Sequence, residues 1–198
     1  MIFRDIKFKF NLKFIFIKFI RGKIQYLFKS FGLKIVHFND IFIDIKELIK
    51  TNKKLIIIDI GAFTGNSIYE FNEIIKDSTI YSFEPSRKNF IKLKENTDKI
   101  PNSLIFNKAI SNKNQNIFFY ENSWGPTSST KELSQNKSKK YYDNKFKYLG
   151  KNKTDNKYKI ESIKIDTFLR NSKIKEVDIL KIDTQGNEYE VLLGAINT

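Results

Sequence analysis

Between residues 55 and 195, short uncharged apolar runs alternate with amphipathic stretches, which is the pattern of an α/β fold with a parallel sheet. The run Leu55–Ile58 has the length and β-branched content of a buried parallel strand, and it stops at Asp59. The predicted core strands are Leu55–Ile58, Thr79–Phe83, Ser103–Ile110 and Val177–Ile182. The predicted helices are Asn66–Lys76, Ser86–Asn96 with Ser86 as its N-cap, and one that starts near Asn187. We therefore predict a doubly wound, Rossmann-like sheet.

A polar stretch and several small elements separate the third core strand from the fourth. Asn116–Tyr120 favours a small hairpin, Ile160–Ile165 a strand, and Asp166 is predicted to cap a short helix over Thr167–Asn171. Residues 121–159 are rich in lysine and asparagine and form too long a segment for an ordinary loop. This insertion is either a lid over the substrate, with Trp124, Ser128 and Ser129 as candidate contacts, or a flexible loop.

A glycine turn follows the first strand, and an acidic residue follows the second. Gly61 and Gly65 let the backbone approach a ligand, and Asn66 and Ser67 are predicted to cap the next helix. Glu84 ends the second strand, where a carboxylate can accept hydrogen bonds from both hydroxyls of a ribose. This order of strand, glycine turn, helix and acidic strand end predicts a nucleoside site.

The spacing of the glycines favours S-adenosylmethionine over NAD as that nucleoside. The dinucleotide fingerprint G-x-G-x-x-G needs a third glycine for close packing around a pyrophosphate. Here the glycine after Gly61 is Gly65, and the bulky Phe63 lies between them. Asp59 would repel a pyrophosphate but could receive a sulfonium or an ammonium group. A glycine turn without any nucleoside remains the structural alternative.

The fourth core strand also ends in a carboxylate. Asp183 directly follows this strand, and the ligand crevice of an open parallel sheet lies outside the carboxyl ends of its strands. We therefore expect Asp183 to share one edge of the sheet with Asp59 and Glu84. Glu188 lies in the first turn of the next helix, where the helix dipole favours acidic residues, so a structural role is the alternative for this residue.

Composition restricts the available chemistry. The chain has no cysteine and one histidine, His37, so disulfides, thiolate metal sites and histidine-based acid–base pairs are not expected, and we predict no metal site. No uncharged apolar run reaches the ~18 residues of a spanning helix. Lysines interrupt the N-terminal apolar stretch, unlike the apolar core of a signal peptide. These features predict a cytoplasmic protein.

The net charge of +14 is concentrated in two segments. Residues 1–38 carry +8 and residues 131–159 carry +7, which leaves the rest of the chain at −1. Residues 2–20 can form a basic amphipathic helix that either contacts an anionic membrane surface or packs on the domain. Only four residues are arginine, the residue that planar phosphate and base recognition favours, so we do not expect a nucleic-acid partner.

Five segments of the chain resemble, in order and spacing, the FkbM-type S-adenosylmethionine-dependent methyltransferases. They read IIDIGAFTGNS, YSFEPS, NKAISNKNQNIFF, ESIKIDTFL and DILKIDTQGNEYEVLLGA, and together they span about residues 55–195. The most specific pieces are FEP and the K-I-D-x-Q-G-x-E motif from Lys181 to Glu188. The resemblance implies a class I methyltransferase sheet with parallel core strands in the order 3-2-1-4. It also implies O-methylation of a sugar, a glycan or a related small molecule.

The resemblance also implies roles for individual residues. Cofactor contacts are expected from the glycine turn and from the ends of the second and third strands, namely Asp59, Gly61, Ala62, Gly65, Asn66, Ser67, Glu84, Ala109 and Ile110. Within that set, the glycine turn would surround the methionine moiety, Glu84 would bind the ribose, and Ala109 and Ile110 would lie near the adenine. Asp183 would lie near the transferring methyl group and is the first candidate for the base that accepts the hydroxyl proton, with Glu188 as the second.

Family members continue beyond the helix that follows the fourth core strand, so we expect this chain to be truncated at its C-terminus, with Val177–Ile182 at or near a sheet edge. The predicted domains are a basic extension over residues 1–54 and the methyltransferase domain over residues 55–198. Two other functions remain open on sequence alone. One is a nicotinamide-dependent oxidoreductase, and the other is a non-catalytic basic module that binds a membrane or nucleic acid.

Overall fold

The computed structural model describes residues 42, 45, 49, 53–123, 125–132 and 154–198. The chain divides into two compact units, Met1–Thr51 and Asn52–Thr198. In the first unit, Phe42 and Ile45 are helical, and the Ile49 amide donates a hydrogen bond to the Ile45 carbonyl. The amphipathic helix predicted over residues 2–20, Trp124 and most of the 121–159 insertion lie outside the described residues. The proposed domain boundary therefore stays a prediction.

Four parallel strands form the central sheet of the second unit. They are β1 (Leu55–Ile60), β2 (Ser78–Phe83), β3 (Ser103–Phe106) and β7 (Ile179–Ile182), and their order across the sheet is β3-β2-β1-β7. The strand order 3-2-1-4 is thus confirmed, since β7 is the predicted fourth core strand. Within the described part of the chain, β7 is an edge strand of this sheet, as expected.

Apolar burial explains why these runs become inner strands. The side chains of Ile58, Ile60 and Phe83 are almost completely buried on one face of the sheet. Two helices from the C-terminal third of the chain cover that face, α3 (Ile165–Asn171) and α4 (Glu188–Leu193). Each fully buried apolar side chain contributes about 1.5–3 kcal/mol relative to an exposed one, so this cluster stabilises the sheet that carries the site.

Two helices lie between the first three strands, α1 (Asn66–Ile74) and α2 (Arg87–Thr97). The prediction that Ser86 caps α2 is confirmed, because its hydroxyl accepts a hydrogen bond from the Asn89 amide at 3.2 Å. The prediction for α1 is wrong. Its N-cap is Gly65, with φ +99°, and no side chain caps the helix. Ser67 instead donates its hydroxyl hydrogen bond to Asp59.

The predicted third strand, Ser103–Ile110, is in fact two strands in different sheets. β3 ends at Phe106, and β4 (Ala109–Ile110) pairs with β6 (Thr154–Ile163) in a second sheet. The third strand of that sheet is β5 (Gln115–Asn122), and the order is β4-β6-β5. Between them, the Asn107 side chain donates to the carbonyls of Glu84 and Pro85, which turns the chain out of the first sheet.

The predicted hairpin segment is longer than expected. β5 (Gln115–Asn122) pairs antiparallel with β6 along its whole length.

Asp166 does not cap a helix over Thr167–Asn171, because α3 begins at Ile165 with Lys164 as its N-cap. The Asp166 carboxylate instead accepts hydrogen bonds from the Asn197 amide at 3.1 Å and the Thr198 hydroxyl at 2.8 Å. No helix in the described ranges has both the length and the apolar content needed to cross a bilayer.

Candidate functional site

A pocket opens at the carboxyl ends of the central strands, where an open α/β sheet binds its ligands. Gly61 follows β1, Glu84 follows β2 and Asp183 follows β7, and all three line the pocket. Ala109 and Ile110 of β4 also line it. The structure thus brings together five of the residues that the sequence singled out, from four different strands.

Glu84 is the buried acidic group of this pocket, with 5% of its surface exposed. Its two carboxylate oxygens accept hydrogen bonds from the Phe63 amide at 2.8 Å and the Ser86 amide at 2.9 Å. Burial disfavours the charged form and raises the pKa of Glu84 to about 7, although these hydrogen bonds oppose the shift. Glu84 therefore titrates near neutral pH in the ligand-free protein.

Gly61 is required by the close approach of two strand ends. Its φ is +82°, and a Cβ atom at this position would lie 1.9 Å from the backbone oxygen of Asp183. Any side chain would therefore push β1 and β7 apart, or force the Asp183 turn to move. The Asp183 amide in turn donates to the Ile60 carbonyl at 2.9 Å, so Gly61 and Asp183 lie side by side in the pocket lining. We call this pair of residues the Gly61–Asp183 seam.

Four residues predicted to contact the cofactor lie outside the pocket lining, namely Ala62, Gly65, Asn66 and Ser67. A Cβ atom on Gly65 would approach the side chains of Thr97 at 2.9 Å and Leu93 at 3.1 Å, so this glycine allows α1 to pack on α2. Ala62 is buried, and its amide donates to the Phe83 carbonyl. Asn66 and Ser67 belong to the first turn of α1. Cofactor contacts from these four residues stay predictions, but the structure gives the turn a packing role.

Asp59 differs most from its expected position at a strand end. It lies inside β1, has no exposed surface and does not line the pocket. Its carboxylate accepts from the Lys181 ammonium at 2.8 Å and from the Ser67 hydroxyl at 2.6 Å. Since Lys181 is its partner across the β1–β7 pairing, this charge is matched within the sheet. Asp59 is thus held by the protein's own cation.

The two candidate bases have different surroundings. Asp183 is exposed in the pocket, and one of its oxygens accepts a hydrogen bond from the Gln185 side chain at 2.9 Å. Glu188 is not among the pocket-lining residues and instead accepts hydrogen bonds from the amides of Thr184 and Gly186. Partial burial opposes its ionisation, but these hydrogen bonds lower the pKa of the Glu188 carboxyl. Its geometry suits a turn-stabilising role.

Sequence reasoning missed several pocket residues. Phe63 and Gln185 line it with φ of +52° and +56°, a left-handed conformation that residues other than glycine seldom adopt. Asn187, which the sequence marked only as a helix start, is buried and donates its side-chain amide to the Ile110 carbonyl at 3.0 Å. A positive φ at a residue other than glycine cannot be read reliably from the sequence, and the Asn187 contact spans 77 residues. None of these three residues therefore had a local sequence signal.

The beginning of the polar insertion forms part of the pocket wall. Gly125, Ser128 and Thr130 line the pocket, and a 3₁₀ turn spans Gly125–Thr127. The buried Asn122 side chain holds this segment by donating to the Thr127 carbonyl at 2.7 Å and accepting from the Thr154 hydroxyl at 2.9 Å. Ser128 therefore lines the pocket, whereas Ser129 contacts the Gln185 turn, and the role of the insertion as a lid stays a prediction.

Comparisons with known proteins indicate the family to which the chain belongs. The family model described as the methyltransferase FkbM domain matches residues 59–198. Among curated proteins, the chain is similar to the 2-O-methyltransferase NoeI of Sinorhizobium fredii (strain NBRC 101917 / NGR234), with 22% identity over 144 residues. The match covers 72% of this chain and 58% of that relative, so the chain spans little more than half of the relative's length. No solved structure matches the chain.

Proposed function

Because the chain belongs to the FkbM methyltransferase family, we propose that it transfers a methyl group from S-adenosylmethionine to a hydroxyl oxygen of a sugar, a glycan or a related small molecule. The observation that carries the proposal is the buried Glu84 carboxylate, held at the end of β2 beside the Gly61 turn. A carboxylate in that position can accept hydrogen bonds from the hydroxyls of a ribose.

The pocket residues fit an adenosyl group. Glu84 offers an anionic acceptor for the ribose, and Ala109 and Ile110 offer apolar surface for the adenine. Because Gly61 is a glycine, a ligand beside Asp183 can approach its backbone closely. When bound, S-adenosylmethionine supplies an electrophilic methyl group on its sulfonium sulfur.

The chain's own contribution to the reaction is mainly positional. Methyl transfer to oxygen is an in-line displacement, so holding the acceptor hydroxyl at the correct distance and angle provides most of the acceleration. Asp183 is the proposed base, because its carboxylate is exposed in the pocket and can accept the hydroxyl proton. Proton acceptance of this kind contributes a further factor of about 10²–10⁴.

The acceptor class is proposed from the relative. That protein is named as a 2-O-methyltransferase, which supports a hydroxyl oxygen as the nucleophile. Ser128, from the beginning of the polar insertion, also lines the pocket, and its hydroxyl suits a hydroxylated acceptor. An anionic membrane contact through residues 1–20 and a cytoplasmic location remain proposals from the sequence.

Isothermal titration calorimetry tests the cofactor, and a transfer assay tests the acceptor. We expect S-adenosylhomocysteine, the product form of the cofactor, to bind the full chain, and NADH to show no binding under the same conditions. Methyl-labelled S-adenosylmethionine should then label an O-methyl group in a panel of sugars and glycans, read by mass spectrometry. Binding of NADH without binding of S-adenosylhomocysteine would instead support the oxidoreductase alternative.

A further inference from the structure

Thr130 lines the pocket, and its hydroxyl group is buried. Its Oγ1 atom is shielded from solvent and has no hydrogen-bond partner among the described residues, yet Thr130 lines the pocket. A buried hydroxyl without a partner destabilises a folded protein by about 1–3 kcal/mol, so a native chain that keeps one calls for an explanation. Binding of a ligand that supplies the missing partner is such an explanation.

The position of Thr130 is fixed by its neighbours. The Ser129 hydroxyl donates to the Gln185 carbonyl at 3.0 Å, and the backbone of Ser129 forms two hydrogen bonds with Tyr120. On the other side, the Lys131 ammonium lies 3.4 Å from the Glu190 carboxylate. Thr130 thus lies between two residues that contact the turn after Asp183 and the helix that follows this turn, and both Thr130 and Asp183 line the pocket.

From these contacts we propose that the Thr130 hydroxyl binds the amino-acid end of S-adenosylmethionine. The proposal rests on the proposed function, since it assigns a contact within the same pocket. Glu84, Ala109 and Ile110 are the residues suited to the adenosine, which directs the other end of the ligand toward the Gly61–Asp183 seam. That end carries an ammonium and a carboxylate, and a hydroxyl can accept from the first or donate to the second.

Because the Thr130 Oγ1 atom is shielded in the ligand-free protein, its contact with a ligand requires a side-chain rotation. Threonine has two heavy atoms on Cβ, so a change between staggered χ1 positions exchanges its methyl group and its hydroxyl. The hydroxyl can therefore turn into the pocket when a charged partner is present, without a backbone movement. A charge-assisted hydrogen bond formed in this way is stronger than one between neutral groups.

Two ligands that differ only beyond the sulfur separate this contact from the adenosine site. S-Adenosylhomocysteine carries the amino-acid end, and 5′-methylthioadenosine lacks it. In calorimetry with the full chain, Thr130→Val should weaken S-adenosylhomocysteine about tenfold or more, as expected for a lost hydrogen bond to a charged group. The affinity for 5′-methylthioadenosine should stay within twofold, and the melting temperature of the ligand-free protein should be unchanged or higher.

Matched variants control for folding. Ser82 is also a buried hydroxyl without a partner in the described chain, but it does not line the pocket, so Ser82→Ala should leave both affinities unchanged. Thr130→Ser keeps the hydroxyl and should keep the affinity for S-adenosylhomocysteine. An equal loss for both ligands, or no loss for either, in Thr130→Val would overturn the proposal. If the unmodified chain does not bind S-adenosylhomocysteine, the result contradicts the proposed function itself, whatever the Thr130 variants do.

Discussion

Glu84 shows how a single residue can couple ligand binding to pH. Its carboxylate is 5% exposed, and desolvation raises its pKa from an ordinary 4.5 to about 7. The folded protein therefore holds a proton on Glu84 at pH values where the unfolded chain has lost it. Ribose hydroxyls, in contrast, donate to the ionised form, so ligand binding and folding favour opposite protonation states of the same group.

The ligand side of this coupling predicts tighter binding at higher pH. The affinity for S-adenosylhomocysteine should rise roughly 5–10-fold from pH 6 to pH 8, because the ionised fraction of Glu84 increases over that range. Glu84→Gln does not titrate and should bind weakly at both pH values. Glu84→Ala should lose about 1.5–3 kcal/mol of binding free energy at pH 8. Equal affinities of the unmodified chain at pH 6 and pH 8 would contradict the assignment.

The folding side predicts a slope of the opposite sign. A raised carboxyl pKa contributes stability that is fully present below pH 4.5 and is lost as the pH rises through about 7. The shift corresponds to ~3 kcal/mol at most. Urea unfolding of the ligand-free chain should therefore show a smaller free energy of unfolding at pH 8 than at pH 5. In Glu84→Gln that particular decrease should disappear, which calorimetric or fluorescence unfolding curves can measure.

Asp183 carries the prediction about the chemical step. Its carboxylate lies in the pocket, and asparagine keeps its size and one oxygen acceptor for the Gln185 side chain. Asp183→Asn should reduce turnover by roughly 10²-fold, and the affinity for S-adenosylhomocysteine should stay within a few-fold. Glu188→Gln is the comparison, because Glu188 contacts the turn and should affect stability more than turnover. A larger loss of turnover in Glu188→Gln than in Asp183→Asn would indicate that Glu188 is the base.

At the scale of secondary-structure elements, the site depends on how β1 and β7 meet. The two strands pair from Ile57 with Ile179 to Ile60 with Ile182, and the Gly61 and Asp183 turns leave the sheet side by side. Lys181 connects the same two strands, because its ammonium reaches both the Asp59 carboxylate and the Gly61 carbonyl at 3.1 Å. The position of Gly61 is therefore fixed both by its close approach to the Asp183 backbone and by the hydrogen bond from the Lys181 ammonium.

The two glycines of the turn should differ in tolerance. Gly61→Ala places a Cβ atom 1.9 Å from a backbone oxygen, which cannot move without distorting β7, so we expect a loss of ~3 kcal/mol or more in stability. Gly65→Ala shares the strain of a positive φ, +99°, but its Cβ atom would meet side chains and not backbone, Thr97 at 2.9 Å and Leu93 at 3.1 Å, so it should cost less. Urea unfolding measures both costs. A larger loss for Gly65→Ala would contradict this account.

The buried pair between Asp59 and Lys181 gives a second prediction at this scale. Lys181→Met leaves the fully buried Asp59 carboxylate without its cation, so we expect a destabilisation of ~3 kcal/mol. The double variant Asp59→Asn/Lys181→Met removes both charges and should recover most of that loss. A double-mutant cycle in urea provides the measurement, and additive losses would show that the two groups do not depend on each other.

At the scale of the whole molecule, the positive charge is concentrated in two segments of the sequence. Residues 1–38 and 131–159 carry +8 and +7, whereas the remainder, which contains the pocket, is close to neutral. The described residues that line the pocket all belong to this near-neutral remainder. The basic segments instead suit a contact with an anionic surface outside the pocket.

Deletion of residues 1–20 tests the membrane contact. The truncated chain should sediment less with vesicles that contain anionic lipid, because five lysines and arginines of the amphipathic segment are lost along with its apolar residues. Its affinity for S-adenosylhomocysteine should stay the same, since the pocket lies within Asn52–Thr198. Vesicles of neutral lipid are the control. If the full chain does not bind anionic vesicles, the segment has another role.

The amino-acid sequence by itself determined the central sheet and the residues at its carboxyl edge. Apolar runs of strand length and a glycine turn are local features, so β1, β2 and β7, together with Gly61, Glu84 and Asp183, could be identified along the chain. Local patterns also located Ser86 as the cap of α2, because capping depends on neighbours only three residues away.

Only the tertiary structure decided which of these groups face the pocket. Asp59 and Asp183 each lie on or directly after a strand, but Asp59 is paired with Lys181, 122 residues away, and is fully buried. Gly65 packs against α2, and the third predicted strand divides at Asn107 because that side chain binds the carbonyls of Glu84 and Pro85. Contacts between residues far apart in the chain depend on how the elements pack, and hydrophobic periodicity describes each element only by itself.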